Sequence, residues 1–233
     1  MPTLLTFGAR NVGRVLAREL ARDGWNIAAV ARTQETIDAL VDEVPDALGI
    51  VADAVRPEEV ERAFAETQER FGDLNLVVNA ITNGPRTGLI VELPPDAFDA
   101  YLQRLLPAIF NVLRVGSRVL VEQHGGTLVQ LTGGSARRGM PQRAPWAATA
   151  FATRALTQSI AGELRTRNVH VALLVVDAVI ESEKTAAWLE GDPPEKSASM
   201  EEVARAIAYL HSQGPRAWTH ELTVTPALET WVP

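Results

Sequence analysis

The chain has 233 residues, of which 46% are hydrophobic and 22% charged, with a formal net charge of −7 and no cysteine. This is ordinary composition for one α/β domain spanning 1–233, which buries roughly three quarters of its unfolded surface without help from a metal; disorder, disulfides, thiolate metal sites and a cysteine nucleophile are excluded. The acidic balance argues against a nucleic-acid partner, and with a mean hydropathy of +0.01 no apolar run approaches the roughly 18 residues of a membrane span.

Met1-Pro2-Thr3 leads straight into an apolar run, with no basic segment or cleavage site, so the expected location is cytoplasmic. Runs at 3–7, 26–31, 48–52, 74–79, 127–132, 169–176 and 222–225 are almost continuously apolar, as strands buried on both faces of a parallel sheet are. Helical patterns lie between them. Val12, Leu16 and Leu20 step by four until Gly24 stops the helix. Pro57 opens a later helix, with Glu58, Glu59 and Glu61 at its N-terminal end and Val60, Phe64 and Phe71 on its inner face. Two long helices follow, near 95–122 and 145–167, and a last one over 200–211. This alternation predicts a single doubly wound, Rossmann-type sheet of about seven parallel strands. Two loops are long, 82–94 and 181–199, a length typical of lids.

The first strand runs into Gly8-Ala9-Arg10-Asn11-Val12-Gly13 and then a helix. That is the G-x-G-x-x-G spacing of a dinucleotide site, with Arg10 in the slot of the middle glycine, where bare backbone normally meets the pyrophosphate. The helix N-terminus still offers N–H groups to an anion, and Asn11 tolerates positive φ better than most residues. The turn is read either as a phosphate site touched by Arg10 or as a turn that has lost its ligand. After the second strand comes Ala31-Arg32-Thr33 rather than an acid. An acid there would bond the ribose 2′-hydroxyl of NAD, whereas Arg32 suits a 2′-phosphate; NADP(H) is favoured over NAD(H), the alternative being a solvated arginine.

The chain resembles the short-chain dehydrogenase/reductase superfamily from end to end. Thr6-Phe7-Gly8 through Gly13 stands at the family's T-G-x-x-x-G-x-G. Asp53, beside Ala54, follows the third strand, where the family bonds adenine. Asn79-Ala80-Ile81 stands at its N-A-G, the 126–132 segment resembles its G-x-I-V-N-I-S strand, and Val176-Asp177-Ala178-Val179-Ile180-Glu181-Ser182 stands at its P-G-x-I-x-T segment. The resemblance implies cofactor contacts from Gly8, Arg10, Asn11, Val12, Gly13, Arg32, Thr33, Asp53, Ala54, Asn79, Ala80 and Ile81. It also implies a homo-oligomer, dimer or tetramer, built on the two long helices, the second of which carries a surface of small alanines.

The resemblance fails at the catalytic positions. The family's Tyr and Lys, spaced Y-x-x-x-K, fall on Trp146 and Ala150; its Ser falls on Gly133 and its helper Asn on Leu105. No register shift repairs this. The only lysines are Lys184 and Lys196, preceded at four residues by Ile180 and Asp192, so no Y-x-x-x-K exists. Indole N–H donates and does not titrate usefully, so Trp146 cannot replace a phenol as acid and base. Thr132 and Ser135 flank the missing Ser, and either hydroxyl could hydrogen-bond a ligand. Asp177 stands at a strand end in the crevice, either as a base or as a turn cap. Arg137, Arg138 and Arg143 either meet an anionic ligand or are solvated, and His170 reads as a surface or edge residue. Three functions stay open: an oxidoreductase with a divergent site, a non-catalytic nucleotide-binding sensor or scaffold, and a non-redox isomerase or lyase acting on a small molecule in the same cleft.

Overall fold

The computed structural model describes residues 1–82 and 88–230, without the side chains of Ala100 and Tyr101. Residues 83–87 of the predicted 82–94 loop lie outside the described residues. Seven strands, β1 (Thr3–Phe7), β2 (Asn26–Ala31), β3 (Leu48–Val51), β4 (Leu76–Asn79), β5 (Gly126–Gly133), β6 (Val169–Val176) and β7 (Glu221–Val224), form one sheet in the order β3-β2-β1-β4-β5-β6-β7. Every pairing is parallel. The helices are α1 (Val12–Arg22), α2 (Gln34–Val41), α3 (Pro57–Phe71), α4 (Asp96–Glu122), α5 (Ala144–Leu164) and α6 (Met200–Ser212).

Alternation along each strand decides which helices cover which face. Leu5, Phe7, Val77, Leu128 and Val171 pack with α3, α4 and α5 through Val60, Phe64, Val112 and Ala161. Leu4, Leu76, Val78, Val129 and Leu174 pack on the other face with α1, α2 and α6 through Leu16, Leu40 and Ile207. Both faces are therefore buried, which is why the strands read as apolar runs rather than alternating ones.

Local signals set the ends. Thr33 caps α2, its hydroxyl accepting from Thr36 N at 3.4 Å, and Ser199 caps α6 by accepting from Glu202 N at 3.3 Å. Pro57 sits in the first turn of α3 with Glu58 and Glu59. The alanines of α5 divide: Ala147, Ala150 and Ala161 are buried, whereas Ala148 and Ala155 are exposed. Between the buried alanines, Thr149, Thr153 and Thr157 each donate to the carbonyl four residues back, at 2.8 to 3.0 Å, so three hydroxyls are buried without loss of a partner.

The boundaries shift by a residue or two from the sequence pattern. Leu74 is buried but precedes β4, its N–H donating to Gln123 Oε1. The helix expected to 167 ends at Leu164, and a 3₁₀ turn, Arg165–Arg167, follows it. The 181–199 segment contains two short 3₁₀ turns and is tied down by a bridge between Ile180 and Ala198. No helix is long and apolar enough to cross a membrane among the described residues.

Candidate nucleotide site

The chain builds β1, β2 and β3 outward to one side, then returns to place β4 against β1. That reversal opens a crevice beyond the strand C-termini, where ligands of doubly wound sheets bind. The turn from β1 to α1 faces it. Gly8 holds φ +100, and a Cβ there would lie 3.0 Å from the Ala80 backbone. At Gly13 a Cβ would lie 2.2 Å from Gly8 O, so the first turn of α1 closes only on glycine. The turn's own hydrogen bonds use the N–H groups of Gly8, Ala9, Gly13 and Val15. Those of Arg10, Asn11 and Val12 are unused among the described residues, and they form the kind of N–H cluster that receives an anion. The Thr6 hydroxyl is fully buried, unpartnered, and close to Gly13.

The glycine-requiring conformation falls one residue later than the spacing suggests. Asn11, not Arg10, has φ 49 with ψ −121, outside the left-handed pocket that Asn tolerates. It makes no capping bond to compensate. We expect Asn11→Gly to stabilise the fold by about 1 kcal/mol, read as a rise in the thermal midpoint; a fall would show that the turn is unstrained.

Arg10, Arg32 and Thr33 are exposed, and neither arginine has an ion-pair partner among the described residues. Thr33 is engaged as the α2 cap. Asp53 accepts from Val55 N at 3.1 Å with one oxygen, and its backbone N–H donates to Glu59 Oε2. The carbonyl of Ala54 is taken by Asn111 Nδ2 at 3.0 Å, which fixes α4 against this corner. Asn79 is fully buried and its amide is used internally: Nδ2 donates to Gln130 Oε1 at 2.9 Å, and Oδ1 accepts from Ile81 N at 3.2 Å. Asn79 therefore shapes the crevice, while Ala80 packs against Gly8 and Ile81 lines the hollow described next.

At the other end the structure gathers the four positions where the resemblance places catalysis. Leu105, Trp146 and Ala150 line one hollow with Ile81, Thr82, Ile109, Leu131, Thr132 and Thr153. A Cβ on Gly133 would lie 3.3 Å from Trp146 Cζ2, so the indole rests over the missing Ser. Inside, the hollow has a volume of about 10 Å³, room for about one water molecule.

Among the described residues Asp177 caps no turn. It is 5% exposed, and Arg138 grips both of its oxygens, Nη2 to Oδ1 at 3.2 Å and Nη1 to Oδ2. Nor is the arginine cluster a solvated loop: Arg137 binds Glu221, which Arg154 Nε also meets at 2.7 Å. Arg143 contacts Met140 Sδ. Sequence reasoning missed both acidic partners because they lie far along the chain.

The surface reading of His170 is corrected. It is 3% exposed on a strand flanked on both sides, stacked on Trp218 at 5.1 Å, with Nε2 against Thr219 O at 2.9 Å. Burial pushes the His170 and His211 imidazoles below their ordinary value, further helped at His170 by nearby Arg165 and His220 and at His211 by His170. Both therefore stay neutral in the fold while the unfolded chain takes up protons below about pH 6.5. Stability is then complete above that pH and falls as pH drops through it. We expect a lower thermal midpoint at about pH 5.5 than at 7.5, with a smaller difference in His170→Phe; an unchanged difference would exclude His170 as its source.

A family model for short chain dehydrogenases matches residues 3–190. The chain belongs to the short-chain dehydrogenase family. Among curated proteins it is 28% identical over 224 residues to the 3-oxoacyl-[acyl-carrier-protein] reductase FabG of Staphylococcus aureus, covering 90% of this chain and 89% of that one. Among solved structures it superposes on an alcohol dehydrogenase from Thermococcus sibiricus complexed with 5-hydroxy-NADP, with TM-score 0.82, 23% identity and full coverage of both chains. It also superposes on a gluconate 5-dehydrogenase from Burkholderia cenocepacia in complex with NADP and tartrate, with TM-score 0.83, 24% identity, and 99% and 96% coverage. The fold and oxidoreductase family expected from the sequence are those found.

Proposed function

We propose that this member of an oxidoreductase family binds NADP(H) in preference to NAD(H) and does not reduce carbonyls by the family's Tyr–Lys route. One observation carries the reading: the hollow at the reacting end is walled by Leu105, Trp146 and Ala150, with Gly133 beneath the indole. None of these four side chains supplies a titrating proton. The nucleotide end keeps its parts, namely the glycine turn with free N–H groups, Asp53 and the unpaired Arg32. When bound, the cofactor would supply hydride chemistry; the residues here would hold its phosphates and ribose and would offer no acid to a substrate oxygen. Solved neighbours that carry NADP or a derivative support the cofactor class. The same reading includes a cytoplasmic homo-oligomer. Phe110 on α4 and Phe151 on α5, 46% and 43% exposed, are the apolar groups such an interface would cover.

Arg32 decides between the two cofactors. A guanidinium on a 2′-phosphate makes charge-assisted hydrogen bonds worth about 1.5–3 kcal/mol, so calorimetry should give NADP(H) at least tenfold tighter binding than NAD(H). Arg32→Ala should erase the difference by weakening NADP(H) alone. Equal affinities in the parent protein would refute the preference.

A further inference from the structure

The crevice is unequal along its length. Its first end is polar and open: N–H groups of Arg10, Asn11 and Val12 that no described residue uses, two exposed arginines without ion-pair partners, and a free oxygen on Asp53. The buried, unpartnered Thr6 hydroxyl faces the same turn. The second end is apolar and narrow, and the space inside it is about that of one water molecule. Among its lining residues Thr153 is bonded to Thr149 O. Thr82 is engaged as well, which leaves Thr132 as the hydroxyl of that wall with no partner among the described residues. Asp177, at the end of β6, is 5% exposed and has each oxygen bonded to Arg138. A ribose and a carboxamide need several hydrogen bonds when taken from water, and an unmatched polar group in an apolar wall is costly.

We propose that the ligand chemistry read by this cleft is adenosine 5′-diphosphate with a 2′-phosphate, whether free or as one half of NADP(H), and that the nicotinamide half adds no affinity. The inference rests on the nucleotide site proposed above and narrows it. The protein reports on the phosphorylated adenosine and is indifferent to whether the attached nicotinamide is oxidised, reduced or absent. Trp146 and Ala150 then lie beyond the ligand's recognised part.

The test is calorimetry with the full chain and five ligands: 2′-phospho-ADP, ADP, NADP⁺, NADPH and nicotinamide mononucleotide. The inference expects 2′-phospho-ADP, NADP⁺ and NADPH to agree within about threefold, ADP to bind at least tenfold more weakly, and the mononucleotide to give no heat and no competition. Arg10→Ala should weaken the three 2′-phosphorylated ligands by one common factor, about tenfold for a lost charge-assisted contact, and Trp146→Phe should change none of them. NADPH or NADP⁺ binding more than threefold tighter than 2′-phospho-ADP, or binding by the mononucleotide, overturns the inference while leaving the cofactor reading intact. Failure of every adenosine ligand to bind overturns both.

Discussion

Purified protein supplied with NADPH and a panel of ketones, aldehydes and enones should turn over at near-background rates. Carbonyl reduction needs a proton at oxygen as hydride reaches carbon, and an acid tuned to the working pH supplies it. At the end of the crevice where that acid would stand, the structure places the indole of Trp146 against Gly133, with Leu105 and Ala150 completing the wall. Loss of one hydrogen-bond donor to a developing oxyanion costs about 10²–10³ in rate, and loss of the acid costs more; the losses do not add, because such groups act as a unit. Rates of about 1 s⁻¹ or more, ordinary for working enzymes, would show that a side chain outside this set had taken over the proton. Thr132, a hydroxyl in the wall of the hollow, would be the first to replace. Asp177 would come second, because both of its oxygens are already committed to Arg138.

The architecture was readable because its signals are local and repeated. Apolar runs of strand length between helical periods leave a doubly wound sheet as the natural packing, and all seven strands fell within two residues at both ends of their predicted spans, with β1, β2 and β6 coincident. The turn after β1 was readable as a turn, but not in detail: spacing put the glycine gap at Arg10, and only backbone angles show that Asn11 bears the positive φ. Side-chain partnerships were the least readable. His170 looks peripheral until Trp218 and Thr219 close over it, and Asn79 looks like a ligand contact until Gln130, 51 residues away, takes its amide. Arg137 and Arg138 look solvated until their acids arrive from 84 and 39 residues on. A sequence carries charge and period, but pairings of this kind exist only once the sheet order is set.

The Arg138–Asp177 pair is where a single change should cost the most stability. Asp177 leaves β6 with 6% of its side chain exposed, and Arg138 keeps 23%. Removing the cation alone would strand a carboxylate away from water, which commonly costs 3–5 kcal/mol; the residual exposure of Arg138 places Arg138→Met near the lower figure, about 3 kcal/mol. Replacing both partners with apolar residues, as in Arg138→Met with Asp177→Leu, removes the stranded charge and should recover most of that loss. Gly134 supplies an independent check. A Cβ there would lie 1.8 Å from Asp177 Oδ1, so Gly134→Ala must push the carboxylate off its guanidinium and should destabilise by about 1–3 kcal/mol. In an Asp177→Ala background the obstacle is gone, and the same glycine change should be close to neutral. Denaturant unfolding of these variants reads the coupling directly. A Gly134→Ala cost that is equal in both backgrounds would mean that Asp177 does not occupy this position, and that its carboxylate is free to act in the crevice after all.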